Sequence, residues 1–167
     1  MLMDKLRIRK AEEADLQDIV RLWKRNIRTI NTASDIADLF YPFKKYYLVA
    51  VCTDADAGTA NKGRFKGRGR ERIIGFVGGA IRKGQGHISG IAVDREYRKN
   101  GIGNQLLNMV GAEFLTDGFK QITLEARKSN RNAIRFYKKN GYKKLYDIKG
   151  YYADGEDAIV YEKKIRI

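Results

Sequence analysis

The chain has 167 residues, 34 Lys+Arg against 20 Asp+Glu, a formal charge of +14, and one each of Cys, His and Pro. This length suits one compact domain with a sizeable core, while a lone Cys52 excludes an internal disulfide and one Cys with one His excludes a Cys/His metal cage. No apolar run approaches the roughly 18 residues of a membrane span, and the charged start MLMDKLRIRK lacks the apolar stretch of a signal peptide; the expectation is a cytoplasmic protein with no membrane anchor, no metal and an anionic partner.

Leu6-Arg7-Ile8-Arg9 alternates as a short strand. In AEEADLQDIVRLWKRNI, Leu16, Ile19, Val20, Trp23 and Ile27 recur at helical spacing. Acids (Glu12, Glu13, Asp15) open this helix and bases (Lys24, Arg25, Arg28) close it, the order its dipole favours. A second, shorter helix is predicted over 33–42, stopped near Pro42. YYLVAVC (46–52) reads as a buried strand, and Ile73–Ile81 and His87–Val93 as two more, with Gly84 and Gly86 marking the turn between them.

From 53 to 72 runs TDADAGTANKGRFKGRGRER, with six positive charges against three acids and no apolar periodicity. Between two strands it reads as an extended basic hairpin loop at about 54–72, inside a single domain spanning 1–167. Solvation explains such a loop, as would contact with a ribosome or RNA. Gly58 and Gly63 have Walker-like spacing, but Arg64 and Phe65 stand where Lys and Ser/Thr are needed, so a nucleotide P-loop is excluded.

The second half alternates: a helix over 101–116 with Ile102, Leu106, Val110 and Phe114 on one face, a strand Gln121–Ala126, and a helix over 130–140. Strands near 142–148 and 157–165 follow, joined by a turn in ADGED (153–157). Strands interleaved with helices imply an α/β or α+β sheet covered on both faces.

The strongest local signal is IAVDREYRKNGIGNQLL, where a strand ends at Val93 and Gly101-Ile102-Gly103 opens a helix. Free N–H groups at a helix start attract an anion, and glycine lets a phosphate approach the backbone. The first helix fills its positive end with acids; this one has none in its first turn and keeps Arg98 and Lys99 beside it. A Rossmann fingerprint is opposed by Leu106 at the third glycine position and by the seven residues DREYRKN between strand and glycine.

Arg98-x-x-Gly101-x-Gly103 after a strand ending in Ala-Val resembles the acetyl-CoA pyrophosphate loop of the GNAT superfamily of N-acetyltransferases. The resemblance runs over roughly 73–162 and includes Asn130, Ala133, Tyr137, Gly141 and Tyr142 in SNRNAIRFYKKNGY. TLEARKSNRNAIRFY and YYADGEDAIVYEK are most similar to protein N-terminal acetyltransferases, such as RimI and the catalytic subunit of N-terminal acetyltransferase A. The resemblance implies a mixed, mostly antiparallel central sheet with helices on both faces. It also implies acetyl-CoA as donor, held by Ile91, Ala92, Val93, Arg98, Lys99, Asn100, Gly101, Ile102, Gly103, Asn130 and Ala133. Lys128, Arg131 and Arg135 add charge suited to its phosphates. The chain departs from the family in two places: Arg95 replaces a frequent Pro, and NIRTINTASD lacks the Pro-Glu element between the first two helices.

Acetyl transfer to an amine needs a neutral amine, a polarised carbonyl and a proton for the leaving thiolate. An α-amine titrates at about 7.7–8.0 and a lysine at about 10.4, so the α-amine is the easier to deprotonate near neutrality. The resemblance implies Glu125 as base, directly or through water, and Tyr137 as acid, twelve residues on. A carboxylate at about 4.3 needs burial to raise its pKa, or a relaying water; a salt-bridged Glu beside Arg127 is the plain alternative. The resemblance also implies that backbone N–H groups where strand Ile91–Val93 ends meet the carbonyl oxygen. Tyr151 and Tyr152 would wall a slot for an extended peptide, and Asp154, Glu156 and Asp157 would draw a cationic amine. The lone His87 reads as a surface or structural histidine, and Ser89 lies outside any nucleophile elbow. The resulting expectation is acetylation of protein N-termini. The rivals are acetylation of lysine side chains or small-molecule amines, and a ribosome- or RNA-binding protein.

Overall fold

The computed structural model describes residues 5–54 and 70–166. The basic stretch of the expected 54–72 loop therefore lies almost wholly outside the described residues. Seven strands form one sheet in the order β1-β2-β3-β4-β5-β7-β6. They are β1 (Leu6–Lys10), β2 (Tyr47–Asp54), β3 (Arg70–Arg82), β4 (Gln85–Val93), β5 (Gln121–Arg127), β6 (Lys143–Ile148) and β7 (Ala158–Lys164). All neighbours are antiparallel except β4 and β5. The helices are α1 (Leu16–Asn26), α2 (Ala33–Phe40), α3 (Ile102–Thr116) and α4 (Arg131–Lys139).

Period-two alternation in β2 assigns the helices to opposite faces. Tyr46, Leu48, Ala50 and Cys52 join the core under α3 and α4, with Leu106, Val110, Phe114 and Tyr137. Tyr47, Val49 and Val51 join the core under α1 and α2, with Ile19, Leu22, Trp23, Ile36 and Phe40. The acids expected to start α1 do so through a preceding 3-10 turn: Asp15 accepts from Glu12 N at 2.7 Å and takes both Arg9 nitrogens at 2.7 and 2.9 Å. Thr32 and Asp35 form a reciprocal cap on α2.

The turn between β3 and β4 is tighter than the glycines suggested. Lys83 and Gly84 alone make it, both at positive φ, as a two-residue hairpin of this hand requires. Gly86 is instead inside β4, where a Cβ would lie 2.8 Å from the Phe114 ring. Arg82 and Gln85 face each other across the turn.

Candidate active site

β4, α3 and β5 form a parallel crossover, and the two strands pair only at Gly86–Ile122 and His87–Thr123. Beyond His87, β4 keeps its pairing with β3, with Ile91, Ala92 and Val93 opposite Val77, Phe76 and Gly75. The strands therefore part, and the backbone of Ile91–Val93 borders the gap. Glu125 of β5 reaches His87 of β4 where the pairing ends, and Arg98, three residues before Gly101, bonds back to Val93 O.

At the α3 side of the gap the groups on offer are backbone. Lys99 and Gly101 have φ of 64° and 76°, so the chain curls as it enters α3. Gly101 is the N-cap of α3, without a side-chain cap, and the first turn carries no acid. A Cβ on Gly101 would meet nothing within 4 Å, so the backbone there faces open space. Gly103 has a different reason: a Cβ there would lie 3.0 Å from Phe136 of α4. Ile102 is buried core, so only its backbone is available.

The side chains of this loop are largely committed. Arg98 turns back, donating to Val93 O at 2.9 Å and Asn26 Oδ1 at 2.8 Å. Asn100 closes the loop on Tyr97 O and Arg98 O. Asn130 caps α4 by accepting from Ala133 N at 3.1 Å. Lys128 pairs with Asp147. Ala92 faces the α1–α2 core, and Val93 packs toward α3.

Alternation in β5 buries Ile122, Leu124 and Ala126 and turns Thr123, Glu125 and Arg127 to the other face. Glu125 Oε2 lies 2.6 Å from His87 Nε2, and its Oε1 accepts from Arg82 Nη1 at 3.1 Å. The expected burial effect operates on Glu125 and raises its pKa. The hydrogen bond and charge of His87, with the charge of Arg82, outweigh it and hold the carboxyl below the usual range. Glu125 is thus an ionised acceptor. Its ion-pair partner is Arg82 rather than Arg127. His87 is 6% exposed and is the residue that sequence reasoning set aside.

Tyr137 is buried among Tyr142, Tyr161 and Phe136. Burial, with a smaller contribution from Tyr152, pushes its hydroxyl pKa upward, which keeps it protonated. Tyr152 is raised to about 12, first by burial, with Glu125 among the charges acting on it. Tyr151 packs edge-to-face on Tyr152 at 5.0 Å and stays 41% exposed.

The acids of this segment are not free to draw a cation. Arg127 Nη1 holds Asp154 at 3.0 Å and Glu156 at 2.9 Å, its Nη2 reaches Arg28 O, and its guanidinium lies 4.0 Å from the Tyr152 ring centre. Arg28 adds a second pair to Asp154 at 3.0 Å. Asp157 accepts from Gly150 N at 2.9 Å. They tie the β6–β7 connection to β5 and to the α1–α2 connection. Among the described residues no group of three or more His, Cys, Asp or Glu is placed to hold a metal ion. No helix there is long and apolar enough to cross a membrane.

The arrangement has many counterparts. Ard1 from Thermoplasma volcanium superposes with a TM-score of 0.81 at 23% identity, over 98% of this chain and 99% of that one. The ribosomal-protein-S18-alanine N-acetyltransferase of Escherichia coli superposes at 0.74 and 23%, over 97% and 95%. At those identities the likeness concerns the fold. Among curated proteins, an N-alpha-acetyltransferase of Saccharolobus solfataricus is 47% identical over 75 residues, 44% of this chain and 45% of that protein. The Arabidopsis thaliana catalytic subunit NAA10 of the N-terminal acetyltransferase A complex is 33% identical over 102 residues, 57% and 53% of the two chains. The chain spans about half the length of the curated relatives it matches. The model of the acetyltransferase (GNAT) family matches residues 22–142, from within α1 to Tyr142 beyond α4. The chain belongs to the acetyltransferase (GNAT) family.

Proposed function

We propose that the protein transfers the acetyl group of acetyl-CoA to the free α-amino group of protein N-termini. The observation that carries this reading is the Glu125–His87 contact, made where β4 and β5 cease to pair. Relatives named N-alpha-acetyltransferases support the acceptor class.

The α3 start fits the pyrophosphate of acetyl-CoA: its first N–H groups have no intrahelical partners, no acid competes, and Gly101 leaves the approach open. When bound, acetyl-CoA supplies an activated thioester carbonyl. Lys99 to Gly103 would hold its phosphates mainly through backbone, and Arg98 contributes by bracing the loop. Backbone N–H groups at Ile91–Val93 would polarise the carbonyl oxygen.

Glu125 is held ionised, so the burial route to a stronger base is not taken. The proton leaving the amine passes, directly or through water, to the pair that His87 makes with Glu125. Tyr137, kept protonated by burial, donates to the departing thiolate. Tyr151 and Tyr152 flank the acceptor peptide, whose path is set by the Arg127-tied connection.

A labelled acetyl-CoA assay over a small peptide panel tests this. Peptides with free N-termini should turn over, and an N-blocked peptide containing lysine should not. The reverse preference overturns the acceptor assignment and leaves the fold intact. No acetyl transfer, with RNA affinity falling steeply with salt, would replace the enzyme by a binding protein.

A further inference from the structure

The three contacts among Arg82, His87 and Glu125 cannot all be hydrogen bonds at once. Arg82 Nη1 lies 2.9 Å from His87 Nε2 and 3.1 Å from Glu125 Oε1, while the same Nε2 lies 2.6 Å from Glu125 Oε2. A guanidinium only donates, whereas a ring nitrogen either carries a proton and donates or presents its lone pair and accepts. With a proton on Nε2, the ring bonds Glu125, and Arg82 has only Glu125 left to bond. With Nε2 bare, its single lone pair accepts either from Arg82 or from the carboxyl, and the 2.6 Å contact then requires the proton on the carboxyl. One shared proton thus has two positions, and Arg82 stands within hydrogen-bond distance of both members of the pair. His87 Nδ1 is buried without a hydrogen-bond partner, which leaves Nε2 as the ring nitrogen in use.

The surroundings identify the cation that matters. From β5 come Glu125 itself and the neutral Thr123; from the β6–β7 connection comes the Tyr152 hydroxyl, which Glu125 influences. Arg127 shares the face of Glu125 but is spent on Asp154 and Glu156. From β3 comes Arg82, set at the end of a two-residue hairpin and half exposed.

We propose that Arg82 is a positioning residue that disfavours a proton at the position shared by His87 Nε2 and Glu125 Oε2, so that this position is open to the proton of the attacking amine near neutral pH. This rests on the acetyl-transfer reading above. A fixed positive charge within hydrogen-bond distance of both members disfavours any further proton on either. Arginine suits the task because its fork reaches two acceptors and it stays charged, whereas lysine is a single flexible point charge. The titration belongs to the pair rather than to either residue.

The chain has one histidine, so its imidazole C–H resonances report on this pair without overlap. Two measurements on wild type, R82K and R82Q decide the matter: the pH profile of kcat/KM and the NMR titration of that ring. In R82Q the acid limb and the ring midpoint should both move up by about one pH unit, a tenfold loss of the receptive form at a fixed pH below the limb. R82K should shift less, and activity of R82Q should recover at alkaline pH. Acetyl-CoA affinity should stay near the wild-type value in both variants. An unmoved or lowered midpoint in R82Q, or a loss of kcat/KM equal at every pH, overturns the proposal and leaves Arg82 as a surface ion pair. If wild type acetylates no peptide N-terminus, the acceptor reading fails, while the NMR titration still decides the role of Arg82.

Discussion

At the start of α3 the chain offers an anion its own backbone, curled through Lys99 and Gly101 and left uncapped, within about one stretch of sequence. Beside β5 the chain offers side chains instead: Glu125 with His87 from β4 and Arg82 from β3, and Arg127 with Asp154 and Glu156. The first kind of site is changed by altering φ or by filling space. The second is changed by removing a charge or a hydrogen bond while the backbone stays as it is. Substitutions should therefore separate cofactor binding from turnover, and turnover from peptide affinity.

The largest effect is expected for Gly101→Val. Its φ of 76° belongs to the left-handed region, which costs a side-chain-bearing residue about 1–2 kcal/mol, and the new group would enter the open space in front of the helix. Acetyl-CoA affinity, read by calorimetry, should fall at least about 100-fold with little change in far-UV CD. Normal affinity would mean that the phosphates are held elsewhere. Next comes Glu125→Gln, for which kcat should fall on the order of 100-fold while acetyl-CoA affinity stays near normal. Unchanged turnover would remove Glu125 from the chemistry and break the contrast between the two ends. Tyr137→Phe keeps the ring packing and removes the hydroxyl; kcat should drop by about tenfold, and single-turnover kinetics with a thiol-release readout should show the loss in the chemical step. The smallest effect is expected for Asp154→Asn, which removes the Arg28 pair and one arm of the Arg127 fork. The Michaelis constant for peptide should rise by a few-fold, while kcat and cofactor affinity hold. A loss of cofactor affinity in that variant would show the two ends to be coupled.

The same contrast explains what could be read from the sequence. Gly101, Gly103 and their acid-free, basic surroundings are neighbours in the chain, so a local pattern exposed them. Strand alternation in ITLEA placed Glu125 on the face away from the core, and Ile102, Leu106, Val110 and Phe114 are buried on one side of α3 as their spacing predicts. His87 was passed over because it lies 38 residues from Glu125, and one sequence does not declare which strands are adjacent. The signal was nevertheless present: a strand–helix–strand unit beginning at His87 makes a parallel crossover, which brings β4 and β5 side by side. Asp154 and Glu156 were read as free acids because their partner Arg127 stands 27 and 29 residues away. Arg98 shows the opposite case. Its side chain follows the loop but bonds inward to Val93 and Asn26, a choice that no local pattern reveals.

The brief pairing of β4 with β5 has a mechanical consequence. Along their seam two antiparallel blocks, β1 to β4 and β5 with β7 and β6, share two backbone residue pairs and the side-chain contacts Gln85–Gln121, His87–Glu125 and Arg82–Glu125. Cohesion across the seam comes instead from the core under α3, where Leu106, Val110 and Phe114 sit with Ile122, Leu124 and Tyr161. Amide hydrogen exchange should register this as one shared level of protection for β2, β3, β5 and β7, set by α3, with β6 releasing its deuterium barrier first because Lys143–Asp147 lie exposed at the edge. Where the two blocks separate, the sheet is not a continuous wall, and the core under α3 bridges the break.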